Sequence, residues 1–141
     1  MTLRPETRAR ARALQLLYAW EIQSHPPMAE VASLAARFSG PGGESLTTLE
    51  RAETLATAVA DDRAALDELA GRAAEHWRLE RMAVVERNIL RVGIHELRLG
   101  TAPPKVVIDE ALRLAHWFGG AQASAFINGI LDRIAHDLGL L

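Results

Sequence analysis

Apolar residues recur along this chain at spacings of three and four and never alternate for long with polar ones, so a helical period runs through it. In "RARARALQLLYAWE" (residues 8–21), Ala13, Leu16, Leu17 and Trp20 gather on one side of a helical wheel. Pro5 suits a first helical turn, where its fixed φ fits and its missing N–H has no partner to lose, so a helix is predicted from there to about Gln23. "SHPP" (24–27) breaks it, and Pro27 starts a short helix through Phe38. "SGPGGES" (39–45) reads as a flexible surface loop. Thr47 or Thr48 opens a helix toward Ala60, and "ADD" (60–62) caps another that ends near Ala74. From Glu80 to Leu99 the pattern predicts one long amphipathic helix stopped by Gly100. "TAPPK" (101–105) is a turn, the next helix runs to Phe118, "GG" (119–120) ends it, and a last helix covers about Gln122 to Leu138. The expectation is an all-α fold of seven helices and no strand, most simply one domain over residues 1–141. Trp20, Trp77 and Trp117 fall at apolar helix positions and read as core anchors.

Composition narrows the class. Hydrophobic residues make up 49% of the chain, ample for a core. The absence of cysteine removes disulfides and thiolate metal sites. No apolar run approaches the roughly 18 residues needed to cross a bilayer, and the N-terminal arginines lead into an amphipathic stretch instead of a signal-peptide core. A soluble cytoplasmic protein is expected. Five histidines invite a metal hypothesis, but "IHEL" (94–97) lacks the second histidine of a zinc-protease helix, and His76, His95, His116 and His136 lie in different predicted elements. No serine elbow is present, and "SGPGGES" lacks the lysine of a phosphate-binding loop. Neither catalysis nor a cofactor is expected.

Charge distribution adds what net charge hides. The chain carries −2 overall, yet its first twenty residues hold Arg4, Arg8, Arg10 and Arg12 against Glu6 alone. Arg4, Arg8 and Arg12 fall within an arc of roughly 80° that Gln15 and Ala19 share, while Arg10 lies apart, nearer Leu17 and Glu21. The helix thus has an apolar back and a cationic front. Guanidinium forks suit phosphate because they donate two parallel hydrogen bonds, and Tyr18 at the edge of the front is placed to stack a base. Arginines near a helix N-terminus also oppose its dipole, a cost of a few tenths of a kcal/mol each. A solvated charged face needs no ligand, however, and this helix alone leaves both readings open.

Three stretches taken together are more specific: "ARALQLLYAWE" at the front, "VVERNILRVGIHEL" (84–97), and "APPKVVIDEALRLAHWFGG" followed by "ASAFINGILDRIA" (123–135). In this order and spacing they resemble the NusB family of bacterial transcription antitermination proteins. The resemblance implies an all-α fold of about seven helices in two packed sub-bundles, and a binding protein without catalysis. It implies two partners: the small-subunit ribosomal protein NusE, and boxA-type single-stranded RNA in nascent ribosomal RNA, bound within the RNA polymerase antitermination complex. Carried over by position, Arg8, Arg10, Arg12, Gln15 and Tyr18 become the leading RNA contacts, with Lys105 in the proline-lysine turn and Phe126 in "AFINGILD". Phe126 is also spaced i, i+4 with Ile130, so a core role stays open. Glu80 and Glu86 on the long helix fit the NusE-facing surface or a solvated helix face, and Asn128 and Gly129 read as structural, for a buried backbone group and a close helix approach.

Two departures stand out. "IDEA" (108–111) replaces the usual "INEA", and Gln122 to Phe126 replace a "DSxKF" pattern, so an acid and a lysine are both lost. The rival from another class is a helical scaffold that binds only protein, for example a homodimer that covers the first helix.

Overall fold

The computed structural model describes residues 3–37, 43–74 and 79–141. Among them are seven α-helices and no strand: α1 (Pro5–Ile22), α2 (Met28–Arg37), α3 (Leu46–Asp61), α4 (Arg63–Ala73), α5 (Val84–Leu99), α6 (Pro104–Phe118) and α7 (Ala123–Asp137), with one 3-10 turn at Leu79–Arg81. The chain divides into two compact units, Met1–Asp61 with α1–α3 and Asp62–Leu141 with α4–α7. No helix among the described residues is long and apolar enough to cross a membrane.

In the first unit α1 packs chiefly on α3, with α2 against both. Ala9, Ala13, Leu14, Leu16, Leu17 and Trp20 form the buried side of α1, as the wheel predicts, opposite Ala52, Ala56 and Val59 of α3. Small side chains on both helices let the backbones approach closely. After α1, Ser24 and His25 both take positive φ (63° and 65°), which turns the chain within two residues and lays the His25 ring on Trp20, centroids 4.1 Å apart. The cap of α3 is Ser45, upstream of the predicted Thr47 or Thr48: its Oγ accepts the Thr48 N–H at 3.2 Å.

In the second unit α5 is central, packed against α4, α6 and α7. Every residue from Asn88 to Ile94 is buried, so the middle of this helix is enclosed all round instead of on one stripe. Two features follow. Gly93 permits close packing, since a Cβ there would lie 2.9 Å from Leu131 Cδ1 of α7. Arg91, 4% exposed, needs internal partners. Its Nε and Nη2 donate to Asp67 Oδ1 and Oδ2 on α4 at 2.7 and 3.0 Å, and its Nη1 donates to the fully buried Asn88 at 2.8 Å.

Several expectations are corrected here. The predicted helix from Glu80 is interrupted: Ala83 is extended (φ −61°, ψ 148°), and α5 begins at Val84. Glu80 therefore sits exposed in the 3-10 turn, off the long helix. Asn128 and Gly129 are exposed, with open space where a Gly129 Cβ would be; the structural asparagine and close-approach glycine are Asn88 and Gly93. Trp117 is 41% exposed because the buried face of α6 is Val107, Ile108, Ala111, Leu114 and Ala115. It meets the equally exposed Phe118 edge to face instead of entering the core. Trp77 and His76 lie outside the described residues.

Candidate nucleic-acid interface

The first unit carries the cationic helix. Burial of the Ala13–Leu17–Trp20 side turns Arg4, Arg8 and Arg12 outward, with the side chains of Arg8 and Arg12 41% and 40% exposed. Gln15 is exposed on the same face and accepts a hydrogen bond from Arg12 Nη1 at 3.1 Å, which extends the row of polar groups by one turn. Tyr18 follows it, 45% exposed, an aromatic side chain of the kind bases stack on. Arg10 is half-buried and lies off the Arg4–Arg8–Arg12 line, as the wheel predicts. Arg51 of α3 pairs loosely with Glu6 at 3.8 Å.

The second unit carries the remaining candidates. Lys105 is exposed in the first turn of α6, just after Pro104. Phe126 is half-buried on α7, beside the fully buried Ile127, so it belongs neither to the core centre nor to the open surface. Glu86 has both carboxylate oxygens engaged within the chain: Oε2 accepts the Ala83 N–H at 3.3 Å, capping α5, and Oε1 accepts the Gly120 N–H at 3.3 Å, tying down the turn between α6 and α7. That turn needs glycine for space, since a Cβ on Gly119 would lie 2.8 Å from the Ala115 carbonyl oxygen. Among the described residues no group of three or more His, Cys, Asp or Glu side chains is placed to hold a metal ion.

The sequence reading missed Glu44. Arg8 Nε donates to Glu44 Oε1 at 3.2 Å, Arg8 Nη2 lies 2.6 Å from Oε2, and Arg12 Nε lies 3.6 Å from Oε1. The Glu44 side chain is only 10% exposed. Its Oε2 receives no well-aligned hydrogen bond, so the contact with Arg8 Nη2 is an ion pair only. The available signal was that Glu44 is the single acidic residue of "SGPGGES", immediately before a serine able to cap the next helix.

These features define an all-α protein of two helical units, one of which presents a row of arginines, a glutamine and a tyrosine to solvent. The NusB family profile matches residues 7–136, and the chain belongs to that family. It is 42% identical over 132 residues to a transcription antitermination protein NusB of Sorangium cellulosum, covering 92% of this chain and 91% of the relative. It is 39% identical over 137 residues to the NusB of Anaeromyxobacter dehalogenans, covering 94% and 91%. Among solved structures it is similar to T. maritima NusB (TM-score 0.82, 28% identity, covering 97% of this chain and 94% of that one). It is also similar to a chain in the structure of the antitermination factors NusB and NusE in complex with dsRNA (TM-score 0.77, 25% identity, covering 96% and 99%).

Proposed function

We propose that this chain is a cytoplasmic transcription antitermination factor that, together with ribosomal protein NusE, binds boxA-type RNA in nascent ribosomal RNA and helps RNA polymerase resist termination. It works by binding and assembly, without catalysis. The observation that carries the RNA part is the outward row of Arg8, Arg12, Gln15 and Tyr18 on α1 with Arg4 at its N-cap, in a family whose relatives are named antitermination proteins. Arginines along one helical line follow successive phosphates, and Tyr18 stacks a base. Arg10, Lys105 and Phe126 are further contacts. Glu80 is the more available protein-facing carboxylate, because Glu86 is already engaged at Ala83 and Gly120.

Phosphate neutralisation makes binding steeply dependent on salt, with a log–log slope of about −0.7 for each single-strand phosphate contacted. Anisotropy of a labelled boxA-like RNA, titrated at two salt concentrations with this protein alone and with NusE, tests the reading. Binding that tightens with NusE and weakens with salt is expected. No binding in either case, by a protein with intact helical circular dichroism, would instead favour the protein-only scaffold.

A further inference from the structure

Arg8 and Arg12, one helical turn apart on α1, converge on a single carboxylate that arrives from the start of α3. Arg8 reaches it through Nε and Nη2, the same two donors the guanidinium would offer a phosphate. A phosphodiester carries the same single charge as that carboxylate and also has two free oxygens. We propose that Glu44 is a built-in occupant of the phosphate site on α1, an internal competitor that an RNA phosphate displaces on binding. The inference rests on the RNA-binding reading above and goes beyond it by assigning the site's resting partner and a residue that sets its affinity.

Three observations support displacement over a permanent brace. The two arginine side chains are about two-fifths exposed, whereas the Glu44 side chain is 10% exposed, so an incoming anion reaches the arginines from the open side. Glu44 Oε2 lacks a well-aligned hydrogen bond, so the pair is less complete than a full fork-to-fork contact, and release into water satisfies that oxygen. The next residue, Ser45, is fixed by its cap on Thr48, so only the Glu44 side chain has to swing away while the start of α3 stays in place. Because the RNA-competent arrangement is only a fraction of the population, the apparent affinity falls by that fraction.

The test compares RNA binding of the wild type, Glu44→Gln and Glu44→Asp, each also in an Arg8→Ala/Arg12→Ala background, with circular dichroism to verify folding. Glu44→Gln is expected to tighten RNA binding roughly three- to fivefold, the scale of an exposed ion pair removed from competition. Glu44→Asp keeps the charge but draws it back from Arg8, and should tighten binding by a smaller factor. In the double-alanine background Glu44→Gln should change nothing. An unchanged or weaker affinity for Glu44→Gln would overturn the proposal, as would an equal gain without the two arginines, which would mark a simple net-charge effect. If no variant binds RNA even with NusE, the RNA reading fails, and the competitor role is read with inorganic tripolyphosphate by calorimetry. Tighter tripolyphosphate binding by Glu44→Gln than by wild type then supports it, and equal binding refutes it.

Discussion

Replacing Arg8 and Arg12 together with alanine is expected to lower affinity for boxA-type RNA by at least about tenfold and to flatten the salt slope by about 1.4, two single-strand contacts' worth. Both side chains are on the solvent side of α1, and neither contributes to the apolar back formed by Ala13, Leu16, Leu17 and Trp20. Alanine is the best helix former, so the helix should survive the change. What is lost is the pair of charge-assisted forks offered to phosphate. Two charge-assisted forks are lost together, each with its phosphate contact, which is why a large effect is expected from a partly exposed site. Circular dichroism should be unchanged while anisotropy reports weaker binding. An unaltered affinity and slope would show that this face does not track phosphates.

The second large effect concerns stability. Asp67→Ala is expected to destabilise the protein by about 2–3 kcal/mol, read as a lower urea midpoint at constant slope. Arg91 is 4% exposed and has its Nε and Nη2 bound by Asp67, so removing the carboxylate takes the acid of this network away from a buried guanidinium that Asn88 also holds. Breaking a buried pair costs more than an exposed one because the surviving charge stays desolvated. The value lies below the usual cost of breaking a fully buried pair, since the Asp67 side chain is 35% exposed and water can reach part of the gap. Arg91→Met should be milder, because it removes the charge and fills much of the same volume. RNA binding by folded Asp67→Ala protein should be unchanged, since Asp67 lies in the second unit, away from α1 in the sequence. A midpoint equal to wild type would mean that Arg91 finds other partners.

The elements bounded by proline or glycine were legible in the sequence. Pro5 and Pro104 sit at the first turns of α1 and α6, and Gly100 takes the left-handed φ of 73° that closes α5. The cationic front of α1 was legible too, because its period is local. Features set by what surrounds a helix were not. The amphipathic pattern runs smoothly through residues 80–83, so nothing local predicted the extended Ala83 that moves Glu80 off the helix. Arg91 looks like any surface arginine until three helices enclose α5. Asn128 and Gly129 resemble packing residues as readily as Asn88 and Gly93 do, and only the neighbours of each helix tell them apart. Trp117 has the side chain of a core anchor but shares its face with Val106 and Arg113, both exposed. Glu44 was hidden because its partners lie 36 and 32 positions earlier, a long-range ion pair that periodicity does not encode.

The most direct test of the central claim is transcription in vitro through a terminator placed downstream of a boxA-type sequence, with RNA polymerase and NusE present. Adding this protein should raise readthrough, and adding the Arg8→Ala/Arg12→Ala variant should raise it much less. Unchanged readthrough, with a folded protein and a template known to respond to a NusB relative, would contradict the antitermination account.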